Sequence, residues 1–304
     1  MERTLRAALI KSLRINRTML LLVALVVGHN AFAQDLEPRR WTVLPAGSNV
    51  LGLGYARVEG DVFFDPLLEV ENATVDADAF VLSYVHSFKF RDRLLRIDAL
   101  LPWQSKQWQG LLDGEPAQVT RTGLADPIIR LSTNLLDVSS APDRRTVAGV
   151  AIAMTLPLGE YKQDRLLNLG QNRVSLRPQI GVVHTRGPWS FELTGSVFLY
   201  SDNDDFFNGN KREQDPLYAV QTHLTHIFRS GRWASLGMAY GAGGESSVNN
   251  ESTNDAARQF LAGFSVGVPI SKRQGLKFAY IRSRTNIDVG GDTDTLALAL
   301  TTFF

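Results

Sequence analysis

Asp294-Thr295-Leu296-Ala297-Leu298-Ala299-Leu300-Thr301-Thr302-Phe303-Phe304 ends the chain, with large apolar residues alternating with small or polar ones. Successive side chains of a strand point to opposite faces, so Leu296, Leu298, Leu300 and Phe304 share one side. On a soluble sandwich such a strand would be an aggregation-prone edge. A closed barrel in lipid pairs both its edges and wets the apolar face with acyl chains. The tail therefore predicts an all-β transmembrane barrel.

The N-terminus agrees. Arg3, Arg6, Lys11, Arg14 and Arg17 precede the nine-residue apolar run Met19–Val27, and Ala31-Phe32-Ala33 follows. A basic region, a short apolar core and a small-x-small site form a cleavable secretory signal, and the run is far short of the roughly 20 residues of a membrane helix. We expect residues 1–33 to be removed, leaving a chain that begins at Gln34, a short periplasmic segment over 34–46 and a barrel over 47–304. Leu296, Leu298, Leu300 and Phe304 also resemble the C-terminal signal that delivers bacterial barrels to the assembly machinery. The expected partners are that machinery, outer-membrane lipid and a small-molecule solute.

There is no cysteine, which excludes disulfides, lipid attachment at an N-terminal Cys and thiolate chemistry. Removing residues 1–33 lowers Lys+Arg from 32 to 27 and Asp+Glu from 31 to 30, a net charge near −3. No basic patch suggests nucleic acid. Hydrophobic content of 44% suits a globular domain and a barrel alike, because only alternate strand residues face lipid.

Period-two reading gives twelve strands, with ten or fourteen as the neighbouring counts. Leu51, Leu53 and Tyr55 head the lipid-facing sets; Phe80, Leu82 and Tyr84, then Leu101 and Trp103, follow, and the series continues to the terminal strand. Long polar connections, near 59–77, 104–124, 159–172, 201–215, 244–256 and 283–292, alternate with tight turns near Arg91, Arg186, Ser230 and Lys272. Barrels of the outer membrane have short periplasmic turns and long outer loops, so both termini should be periplasmic. Trp103, Trp189, Trp233, Tyr200 and Tyr240 suit the interfacial aromatic girdles.

On the opposite faces lie Arg96, Asp98, Arg130, Arg177, Glu192, Gln221, His223 and Lys277. A charge facing lipid at the bilayer centre costs roughly 2–4 kcal/mol, so these side chains should line the lumen. They form either an ion-paired plug or the wall of a wet solute path, and mixed signs argue against strong charge selection.

Catalytic and metal chemistry is sparse. His223 and His226, three apart on a strand, face opposite sides and make no metal pair. Asp202-Asn203-Asp204-Asp205 could hold calcium through oxygen ligands but reads more simply as a solvated loop. Gly241-Ala242-Gly243-Gly244 and Gly290-Gly291 precede no helix, which speaks against phosphate loops. No enzyme, metal or cofactor is expected.

Several segments carry a more specific resemblance. They are Trp41–Gly47, Gly123-Leu124-Ala125-Asp126-Pro127 leading into Arg130, Asp164–Gly170 followed by Asn172-Arg173, Asp202–Phe207, Arg212–Leu217 and Gly290–Leu296. In this order they resemble the outer-membrane transporters associated with the MetA pathway of phenol degradation. The resemblance implies a channel and assigns neither a substrate nor a binding residue. The resulting expectation is a monomeric barrel passing small molecules, aromatic or otherwise hydrophobic ones among them, by diffusion. The alternative is a structural or assembly barrel with a sealed, ion-paired interior.

Overall fold

In the computed structural model, residues 36–63, 70–112, 114–287 and 290–304 are described; the expected signal sequence and the start at Gln34 lie outside them. Seventeen strands follow in order: β1 (Asn49–Phe63), β2 (Val70–Phe90), β3 (Arg93–Leu112), β4 (Glu115–Leu124), β5 (Ile128–Ala141), β6 (Arg144–Thr155), β7 (Ser175–Arg186), β8 (Trp189–Tyr200), β9 (Asn203–Phe206), β10 (Asn210–Gln214), β11 (Leu217–Ile227), β12 (Trp233–Gly243), β13 (Ser246–Val248), β14 (Glu251–Ser252), β15 (Ala257–Pro269), β16 (Gln274–Thr285) and β17 (Gly290–Phe303). No helix occurs among the described residues.

Twelve of these strands close an antiparallel barrel. From β2 the order runs β1, β17, β16, β15, β12, β11, β8, β7, β6, β5 and β3, and β3 pairs back onto β2. The quoted tail makes the closing seam, with Val50 opposite Phe303 and Leu53 opposite Leu300. Around the outside, Leu101, Leu82, Leu53, Leu300 and Leu276 are successive cross-strand partners, a continuous apolar ladder. Leu53 is 57% exposed and Leu236 64%, values that a water-soluble core strand would not tolerate. Above the band the outer face turns polar. The Tyr55 hydroxyl donates to Asp78 at 2.6 Å, and Arg57 bridges Asp76 and Asp78 at 2.9 and 3.1 Å.

This ladder carries a direct expectation. Leu53→Arg puts a guanidinium into the middle of the apolar band and should lower folding free energy into lipid vesicles by roughly 2–4 kcal/mol. A loss under about 1 kcal/mol would place the ladder at the interface instead of in hydrocarbon.

The start of β1 and the end of β17 lie at one end of the barrel, where Asn49 N donates to the Phe304 carbonyl at 3.2 Å. At this turn end, connections such as Arg91-Asp92 and Gly187-Pro188 are tight, and the positive φ of Gly187, 56°, suits a residue without Cβ. The Pro142-Asp143 connection between β5 and β6 is tight as well.

At the opposite end much of what reads as loop is strand. The stretches 59–77 and 104–124 largely extend β1, β2, β3 and β4, while 201–215 and 244–256 fold into a small sheet of order β14, β13, β10, β9. Above the membrane both strand faces meet water or other loops, so no apolar alternation marks them. Among the described residues β4 pairs only with β3, and β6 stops at Thr155 opposite Ile128. The segment 156–174 fills in beside β4, with Glu160 N donating to the Leu124 carbonyl at 2.8 Å and Arg121 Nε to the Leu167 carbonyl at 3.1 Å.

Candidate functional site

The interior is crossed by the chain's own N-terminal segment. Residues 36–46, expected as part of a short periplasmic segment, take a position inside the barrel at the turn end. Its physical cause is Trp41, an aromatic side chain with a donor that a barrel of this width can bury and hydrogen-bond. The indole is 4% exposed, and its Nε1 donates to Thr194 Oγ1 at 2.7 Å. Glycines at 149 and 181 make the slot: a Cβ at Gly181 would overlap the indole, and one at Gly149 would come within 3.1 Å of it. Arg130 lies with its guanidinium carbon 5.0 Å from the centre of the same ring. Leu36 packs with Leu261 and Ile281 deeper in the barrel and lies against His223 at Gly237.

Ionic ties complete the anchoring. Lys277 Nζ meets Glu37 Oε1 at 2.9 Å, and Arg40 meets the other carboxylate oxygen at 3.6 Å. Lys277, and after it Arg40, hold the Glu37 carboxyl well below the usual range. Arg96 Nη1 donates to the Arg40 carbonyl at 3.3 Å.

Behind the segment, the wall carries a polar chain. Arg96 Nε donates to Asp98 at 2.9 Å, and Arg130 Nη1 reaches the other Asp98 oxygen at 3.4 Å. Arg130 Nε donates to Gln179 at 3.0 Å, and Gln179 donates to Ser196 at 3.3 Å. Asp98, Arg130, Gln179, Glu192 and His223 are each under 10% exposed.

The eight residues expected to line the lumen do not gather into one site. Arg96, Asp98, Arg130, Glu192, His223 and Lys277 surround the N-terminal segment. Arg177 and Gln221 lie further toward the other end and line a cavity of about 50 Å³ with Leu36, Phe198, Leu217 and Leu261. Two aromatic residues expected in the girdles turn inward instead: Tyr200 lies under Arg173, 4.5 Å from its guanidinium carbon, and Trp233 under Arg39 at 5.5 Å. Trp103, Trp189 and Tyr240 face outward, 40–49% exposed. Among the described residues no cluster of three metal-ligating side chains occurs.

A second constellation, missed by the sequence reading, organises the cap end. Asp126 Oδ1 accepts from Gly159 N at 2.9 Å and Oδ2 from Gln171 N at 2.7 Å, so one carboxylate holds both ends of the 159–171 segment. Asn168 shapes that segment through bonds to Lys162 and Arg165. Asn203 joins it to the small sheet by donating to Tyr161 Oη and the Gln171 carbonyl, both at 3.1 Å. Pro127 after Asp126 was the available signal: it ends pairing where the carboxylate must leave the strand.

Among solved structures the fold is similar to the COG4313 outer membrane channel from Pseudomonas putida F1, with a TM-score of 0.76 and 22% identity over 89% of this chain and 100% of that one. The transport unit of the autotransporter AIDA-I from Escherichia coli is similar at a TM-score of 0.51 and 8% identity, over 94% of this chain and 97% of that one. Among curated proteins, none matches the sequence. The closed barrel and its apolar band place the protein in the bacterial outer membrane. The model of the MetA-pathway of phenol degradation family matches residues 67–288, most of the chain, and the protein belongs to that family.

Proposed function

We propose that the protein is a passive outer-membrane channel for small molecules, aromatic compounds among them, and that its lumen is closed at the turn end by residues 36–46. The observation that carries this reading is the way the interior is filled. Gly149, Gly181 and Gly237 leave room in the wall, and a tethered segment of the chain occupies it. A purely structural barrel can fill its interior with wall side chains; space held by a tether can be vacated. In this reading the turn end faces the periplasm, the capped end faces outward and the barrel acts as a monomer. The family's association with phenol degradation supports aromatic solutes.

A second reading, a sealed structural barrel, draws on the buried Arg96–Asp98–Arg130 network. Flux into proteoliposomes separates the two. Labelled phenol and benzoate should enter faster than into protein-free liposomes, and entry should rise when residues 36–46 are deleted. Absence of flux for both proteins would leave the sealed barrel.

A further inference from the structure

The cap end buries two arginines whose described carboxylate neighbours, Asp255 for both and Asp126 for Arg173, act on them only through space. Arg173 and Arg212 are 4% and 5% exposed, and the contacts that hold them are neutral. Arg173 donates to Gln171 Oε1 at 3.4 Å and to Gln214 Oε1. Arg212 Nη2 donates to Ser246 Oγ at 3.0 Å. Each guanidinium lies over an aromatic ring, Arg173 over Tyr200 at 4.5 Å and Arg212 over Phe206 at 5.6 Å. The nearest acids are engaged elsewhere: Asp126 by the two backbone amides above, Asp255 by Ser246 N at 2.6 Å and Thr253 Oγ1 at 2.9 Å. Burial, and after it the neighbouring Arg212, push the Arg173 guanidinium down to about 9 against the opposing charges of Asp255 and Asp126.

Three buried polar groups here have no hydrogen-bond partner: Arg173 Nη1, Arg212 Nε and Tyr200 Oη. The Tyr200 hydroxyl is within electrostatic reach of both arginines. A buried charge normally finds a counter-charge, and a buried donor normally finds an acceptor. Two cationic N–H donors and a hydroxyl match the two oxygens and single charge of a carboxylate. The aromatic faces of Tyr200 and Phe206, with Phe198 and Leu217 lining the cavity on the barrel side, suit an apolar body and offer nothing to the additional oxygens of a phosphate.

We propose that Arg173, Arg212 and Tyr200 form a binding site for a small organic carboxylate beneath the cap, occupied by the solute before it reaches the cavity next to Leu36. The inference rests on the channel reading and names the solute class. The three donors are covered by the small sheet and by 156–174, so the ligand enters as this cover shifts and then offsets one of the two positive charges, its two oxygens shared between the guanidiniums.

Calorimetric titration of the purified mature protein in detergent, at constant ionic strength, tests it. Benzoate should bind saturably, while benzyl alcohol, with the same ring and no charge, and inorganic phosphate should each bind at least about tenfold more weakly. Arg173→Gln/Arg212→Gln should weaken benzoate by about tenfold or more, and Tyr200→Phe, which removes only the hydroxyl, by a few-fold. No saturable benzoate binding, equal binding of benzyl alcohol or of phosphate, or undiminished binding in the arginine variant would each overturn the site. Should the double variant not fold, the wild-type comparison and Tyr200→Phe decide. Benzoate that binds but does not cross a liposome refutes the channel and leaves the site; benzoate that crosses without saturable binding refutes the site alone.

Discussion

Trp41→Ala should release residues 36–46 from the barrel, raise solute conductance severalfold in planar bilayers and expose the Arg39-Arg40 peptide bond to trypsin. Trp41 is nearly fully buried, hydrogen-bonded to Thr194 and stacked beneath Arg130, and truncation of such a side chain costs about 3–5 kcal/mol. The remaining ties are weaker. In the Glu37–Lys277 pair the side chains are 49% and 30% exposed, and pairs so exposed contribute about 0–1 kcal/mol. Trp41 therefore dominates the anchoring, and without it a segment of eleven residues gains backbone freedom worth roughly 1–2 kcal/mol per residue on leaving. The same release should follow from the wall side through Gly181→Leu, whose side chain occupies the indole slot. Barrel melting should change less than trypsin protection, since no interstrand hydrogen bond is touched. Unchanged conductance together with full protection in both variants would show that the segment is a fixed part of the wall.

The barrel was legible because lipid imposes a rule at every second residue over twelve strands. Leu53, Leu82 and Leu300 face outward for the same reason that Asp98 and Arg130 face inward. Where that rule lapses, so did the reading. The segment 36–46 carries no periodicity: Pro38, Arg39, Arg40 and Trp41 look like a solvated leader until a slot between Gly149 and Gly181 is known to exist, and that slot is made by residues more than a hundred positions away. The cap was obscured for a related reason. In β9 and β10, Asn203 and Arg212 are buried by loops arriving from 156–174 and 244–256, so their environment is tertiary and leaves no local pattern. Tyr200 sits at a strand end, as a girdle residue would, yet points inward; its position along the strand was right and its face was not, since odd and even positions both reach the interface. Asp126 was quoted only within a resemblance, and its backbone contacts give that motif a structural meaning.

Asp98→Ala should cost the barrel about 3–5 kcal/mol in vesicle refolding, the characteristic loss when one partner of a buried ion pair is removed. Asp98 pairs with both Arg96 and Arg130, and Arg130, 4% exposed, already has one Nη atom without a partner among the described residues. Asp98→Asn keeps the shape and one acceptor oxygen and should lose less. Adding Arg130→Met to Asp98→Ala should restore a large part of the loss, because the stranded guanidinium goes with it while its stem volume stays; the coupling in this cycle isolates the pair. The size of the effect also decides between the two interiors. A water-filled lumen wall screens these charges, so Asp98→Ala would cost only about 0–1 kcal/mol and would show itself in ion selectivity. A full loss means that this stretch of the interior is dry while residues 36–46 occupy it, so that solute passes Asp98 and Arg130 only after the segment has left.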